Sequence, residues 1–337
     1  MDERASLIFP APPVEPHLGL VPSLIYKGRR VRVIFNTLHF RPPTETFHEF
    51  LVDVVQWTFG EQWWKTQVGM SEPDRHVVVR WVYDFRRIGA RAVARGREAE
   101  PTASVHSTPA SGPAWSLLSL GYDLFCLQAK DRLPGTLVQR LRDDAYFQGA
   151  RYEIAAAAIV ARAGCDIEFV EPPTTSGEKA CEFIATHRET GSRIAVEAKS
   201  RHRDGVLNRP GRFEPTRDAD WIHKRLKEAR KQRPPDTPFV LFVDVNLPLS
   251  PETPPDERPW AQDLKAAFVK LGQHPPDPFN AIVVTNFAHY YDPSESGSHR
   301  GEVGLFPSRC PHVPLDPRVI TALMDSLSRY DRIPREV

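Results

Sequence analysis

Cysteine is scarce in this chain, with four residues, at positions 126, 165, 181 and 310, among 337. They are too few and too scattered for a disulfide framework, and no two form a CxxC pair, so reduced thiols are expected. Long hydrophobic runs are absent as well. No stretch nears the roughly 18–20 apolar residues that cross a bilayer, and the opening Met1-Asp2-Glu3 lacks the basic and apolar regions of a secretory leader. A cytoplasmic protein without a membrane partner is the expectation. Nor is there an excess of charge: 44 Lys and Arg against 43 Asp and Glu leave +1, which removes any global electrostatic case for nucleic acid. No repeat of fixed period is present.

Proline is what the chain has in plenty. The 33 prolines are roughly twice the average usage of about 5% and predict long connections. The length allows two domains. Residues 1–23 are proline-rich and read as an extended arm, followed by a strand-like stretch over 24–40 in which Val31, Val33 and Phe35 alternate with Arg30, Arg32 and Ile34. From 44 to 67, Phe47, Leu51, Val54, Val55 and Phe59 recur at helical spacing; 80–95 and 115–127 read as further helices, separated by a Thr/Ser/Pro/Ala-rich linker over 98–113. The expectation is a mainly helical N-terminal domain, residues 1–135, that recognises substrate or a partner protein, or pairs with a second copy of the chain. Trp57, Trp63 and Trp64 lie at helical spacing and read as core rather than as a base-stacking platform.

A second pattern begins near Thr136, taken as an N-cap, and runs through Glu153 into the apolar residues 154–161. This predicts a helix buried on most sides and ended by Gly164. Strands are expected over 165–170, 182–186 and 193–199, with Thr190-Gly191-Ser192 turning the last two into a hairpin. A basic helix over 221–232 follows, then buried strands over 239–245 and 281–284. The fold class over 136–337 is therefore α/β, in the order α-βββ-α-β-β, a mixed sheet flanked by helices.

In Arg193-Ile194-Ala195-Val196-Glu197-Ala198-Lys199, strand alternation puts Glu197 and Lys199 on one face. Glu182 opens the preceding strand, and the hairpin could set it beside Glu197, with the register left open by sequence. Two carboxylates facing one point suit a hard divalent cation. The order helix-borne Glu153, then Glu182, then Glu197-x-Lys199 resembles the PD-(D/E)XK nuclease superfamily, a restriction endonuclease-like fold, over about 150 residues. Cys181-Glu182 departs from the Pro-Asp of the name, which leaves Asp166 as a rival for the second acid.

The resemblance implies hydrolysis of phosphodiester bonds, DNA first, in restriction, repair or defence against foreign DNA. Glu182 and Glu197 would hold Mg²⁺, with Mn²⁺ as a substitute. Lys199 would position or activate the attacking water, and Glu153 would add a ligand or hold a water. Between Lys199 and Arg233, twelve Lys and Arg stand against five Asp and Glu. Arg201 and Arg203, with Arg209 and Arg212 in one loop, and Lys224, Lys227 and Lys231 on one helix face, are the expected phosphate contacts. The alternatives are a non-catalytic nucleic-acid- or protein-binding module, and a subunit that cuts only within a complex. Asp244 reads as a strand-end carboxylate bonded to backbone. His299, Cys310 and His312 match no four-ligand zinc pattern.

Overall fold

A computed structural model describes residues 23–34, 37–99, 108–128, 133–170, 180–203, 219–248, 253–272, 276–290, 301–330 and 332–334. The proline-rich arm, Phe35, most of the loop holding Arg209 and Arg212, and His299 lie outside them. The architecture is mixed α/β, with a three-stranded sheet and a six-stranded sheet.

The stretch expected as one strand is an antiparallel meander, β1 (Ser23–Tyr26), β2 (Arg29–Ile34) and β3 (Thr37–Arg41). Lys27 and Gly28 join β1 to β2 at φ 48° and 72°, the left-handed pair that a two-residue hairpin requires. One face of the meander packs on α1 (Phe47–Phe59). There Arg32, fully buried, stacks over Phe47 and Phe50 and donates to Glu45 at 2.7 Å.

Thr46 caps α1 reciprocally: its hydroxyl accepts from the Glu49 N–H, and the Glu49 carboxylate accepts from the Thr46 N–H. The helix expected to continue to 67 breaks at Gly60, whose φ of 77° leaves the helical basin, and resumes as α2 (Glu61–Val68). Then come α3 (Val77–Ala99) and α4 (Gly112–Gln128). Trp63 and Trp64 pack against this core.

The helix read from Thr136 is two helices, and Thr136 is not a cap. Pro134 precedes α5 (Gly135–Arg142), and α6 (Phe147–Arg162) starts after a turn in which Asp143 Oδ1 accepts from the Ala145 N–H. A short Asp side chain bonded to its own backbone competes with helix propagation. The run over 154–161 makes α6 a central helix, buried at each of those positions. Gly164, at φ 89°, turns the chain out of it.

The large sheet runs in chain order: β4 (Cys165–Phe169), β5 (Phe183–His187), β6 (Arg193–Ser200), β7 (Phe239–Asp244), β8 (Ala281–Asn286) and β9 (Glu302–Pro307). β6, β7 and β8 are mutually parallel and the other pairs antiparallel. Parallel neighbours need a crossover. The crossovers are α7 (Ala219–Arg230) and α8 (Pro259–Gly272), the second absent from the expected element order, as are β9 and α9 (Pro317–Ser328).

Alternation divides the strands between two cores. Val196, Phe242 and Val283 pack with α6 and α9, whereas Ala195, Leu241 and Ile282 pack with α7 and α8. The first cluster also takes in Phe50, Val54, Leu117 and Leu124, so one apolar core continues across residue 135. Among the described residues no helix is long and apolar enough to cross a membrane.

Candidate active site

Glu197 and Lys199 project from the C-terminal half of β6, the strand where antiparallel pairing gives way to parallel. Glu197 is completely buried and ion-paired through Oε1 to Lys199, which keeps a fifth of its side chain exposed. Its other oxygen, Oε2, is buried and accepts no hydrogen bond. The β5–β6 hairpin turns through Gly191 at φ 69° and pairs Phe183 with Val196. Glu182 N–H also donates to Val196 O at 3.0 Å. Two residues therefore stand against one, a bulge-like step that re-aims the leading side chain. Glu182 thereby sits at the mouth of the hairpin with Glu197.

Glu153 belongs to α6, on the other face of the sheet, and is held by both nitrogens of Arg140 from α5. The acids feel one another. Burial first, then the Glu153 and Glu197 charges, push the Glu182 carboxyl up to about 8, against the pull of Lys199 and Arg140. Burial likewise raises Glu197, with Lys199 as the main opposing influence and Glu153 adding to the rise. Cys181, beside them, is pushed up to about 11 by burial and by the Glu197 charge. Three carboxylates and two cations, Lys199 and Arg140, thus share one partly desolvated region.

Asp166 takes no part. It pairs with Thr186 near the hairpin turn, is exposed, and forms an ion pair with Arg188 at 3.0 Å. Among the described residues no three His, Cys, Asp or Glu side chains form a metal-holding group. With both Glu153 oxygens on Arg140, Glu182 and Glu197 are the two carboxylates left that could hold a cation.

The expected nucleic-acid contacts separate. Lys224 and Lys227 are exposed on the side of α7 away from Ile222, Leu226 and Ala229, and Lys231 is exposed in the turn just past the helix. Arg201 stacks over Trp221. Arg203 is a correction: it is buried, and its guanidinium donates to Val245 O at 3.3 Å. It belongs to a clamp where the chain leaves β6. Gln148 from α6 bonds the Arg203 backbone in both directions, at 2.8 and 3.1 Å, and Asn246 donates to Arg201 O at 2.9 Å. Asp244, also buried, accepts from the Ser200 hydroxyl at 3.1 Å.

Two neighbours of the site carry no signal in the sequence. Arg140 is one basic residue of a short amphipathic helix until the break at Asp143 folds it back onto Glu153. Gln232, just past α7, donates to Ala180 O at 3.0 Å, anchoring the chain ahead of Glu182, and its amide also lowers Glu197. Comparison of the chain with protein-family models, with curated proteins and with solved structures gave no match in any of the three.

Proposed function

We propose that the protein is a Mg²⁺-dependent nuclease on a restriction endonuclease-like core, hydrolysing phosphodiester bonds, DNA foremost. The observation that carries the reading is the convergence of Glu182 and Glu197 with Lys199, with a buried carboxylate oxygen left unpaired. A divalent cation bound by these two acids relieves their repulsion and supplies a Lewis acid for a phosphoryl oxygen. Lys199 places a positive charge beside the reacting phosphate and orients a water. Glu153, neutralised by Arg140, sets the field at the site without ligating. The exposed lysines of α7 bind backbone phosphates in a sequence-independent way.

The test is incubation of the purified chain with linear, circular and single-stranded DNA in Mg²⁺ or Mn²⁺. Cleavage is expected, and Glu197→Ala or Lys199→Ala abolishes it. Cleavage in EDTA, or cleavage unchanged by both substitutions, overturns the assignment. Calorimetry separates the binding-module alternative: a module that cleaves nothing binds DNA equally well without a divalent ion and shows no Mg²⁺ binding that depends on Glu182 and Glu197.

A further inference from the structure

The β1–β3 meander has one face on α1; on the other, Val31 at the centre is buried while the side chains around it are open. Cross-strand partners share a face, and the register Tyr26↔Arg29, Val31↔Phe40 and Val33↔Leu38 puts Tyr26, Arg29, Val33, Leu38 and Phe40 together on the outer one. Four large apolar side chains there are open to solvent: Tyr26 is 52%, Val33 41%, Leu38 59% and Phe40 46% exposed. A cluster of this kind on one small sheet marks an interaction surface.

Charge narrows the partner. Residues 23–41 contain five Lys and Arg and no Asp or Glu, in a chain whose net charge is +1. Arg32 and Arg41 are spent on Glu45 and Asp53 on the inner side. Lys27, at the hairpin tip, lies 5.3 Å from the centre of the Tyr26 ring. Arg29 reaches across to donate to Phe40 O at 3.1 Å. Two aromatic rings thus stand exposed on an extended antiparallel surface, with Lys27 beside the Tyr26 ring and Arg29 held on the Phe40 backbone. This is the pairing that single-stranded nucleic acid needs, bases stacked on rings and phosphates beside cations. A protein partner of matching chemistry would have to be acidic and apolar at once, which nothing on this chain's own matching face offers to a second copy.

We propose that the outer face of the meander binds single-stranded nucleic acid, with Tyr26 and Phe40 as stacking platforms and Lys27 and Arg29 as phosphate contacts. The binding stands on this surface and not on the hydrolytic reading, so the experiment omits divalent ions. Fluorescence anisotropy of a labelled oligothymidylate of about fifteen nucleotides is measured in EDTA with the full chain, across a salt series. The single strand is expected to bind more tightly than a duplex of equal length.

Phe40→Ala and Tyr26→Ala are each expected to weaken binding about 5-fold or more, the loss of one stacked base. Both positions are exposed, so circular dichroism should show the fold intact. Lys27→Ala with Arg29→Ala is expected to flatten the slope of log affinity against log salt by about 1.4, the release of two phosphates of a single strand. No binding by the wild-type chain overturns the proposal, as does binding indifferent to Phe40→Ala and Tyr26→Ala. Sedimentation showing a concentration-dependent dimer dissolved by Leu38→Arg also overturns it and makes a second copy the occupant. Cleavage in Mg²⁺ on the same samples reports separately on the hydrolytic reading.

Discussion

Replacing Asp244 with asparagine tests how the C-terminal end of β6 is held. Asp244 is fully buried, one oxygen bonded to Ser200 and the other, Oδ1, without a partner, beside a cavity of about 10 Å³ lined also by Gln148, Arg151 and Tyr290. That is room for about one water. Burial raises the carboxyl from its ordinary 3.8 to about 7, against the Ser200 hydroxyl, the Asn246 backbone and the more distant charges of Arg151 and Arg203.

The sign follows from proton counting. Between pH 4 and 7 the folded chain keeps a proton that the unfolded chain has lost. The stability tied to this group is therefore complete below about pH 4 and lost as pH rises through 7. The slope is about −1.4 kcal/mol per pH unit, or about 4 kcal/mol over the window. An amide resembles the protonated acid and removes that slope. Urea unfolding of wild type and Asp244→Asn at pH 4 and pH 8 checks this, with stabilities close at pH 4 and the variant more stable at pH 8 by about 4 kcal/mol. A variant equally weakened at both pH values would mean that the carboxylate is ionised throughout and held by Arg151 and Arg203, and the reasoning fails.

Two further expectations concern packing around α4. A methyl group added at Gly121 in α4 would lie 2.8 Å from Leu51 O in α1; Gly121→Ala should cost about 1–3 kcal/mol in denaturant unfolding despite its better helix propensity. Asp123 accepts from buried Arg151 at 2.8 Å, buried Tyr330 at 2.9 Å and half-buried Arg162 at 3.1 Å. Asp123→Ala should cost about 3–5 kcal/mol by the same measurement, because the buried Arg151 and half-buried Arg162 guanidinium groups lose their counter-charge.

The parts of the fold legible in the sequence are those where one face, or all faces, must be dry. The run over 154–161 requires a buried helix, and the alternation around Glu197 and Lys199 requires a strand. Elements set by tertiary partners are not legible in this way. α8 carries a weak apolar stripe, and its necessity follows only once β7 and β8 are known to be parallel. β9 sits among Gly and Pro and is a strand because β8 offers an edge. The breaks at Gly60 and Asp143 turn on single backbone conformations. Arg203 has the composition of a phosphate contact, but the clamp of Gln148 and Asn246 draws it inward. Glu182 depends on a bulge-like step that no periodicity encodes.

The order of the large sheet has a kinetic corollary. Because β4 to β9 lie side by side in the order in which they are made, each strand can pair with the one just completed, and no strand has to insert between two already joined. Pairing with the neighbour just made avoids threading, while the parallel pairs β6–β7 and β7–β8 must first close over α7 and α8. The slow step should come at the end, when α9 closes over α6 through Ser326 on Ile159 O and Tyr330 on Asp123, contacts spanning well over a hundred residues. Until that docking, one flank of the helix that carries Glu153 has no cover, so α9, remote from the acids in sequence, governs when α6 is finally enclosed.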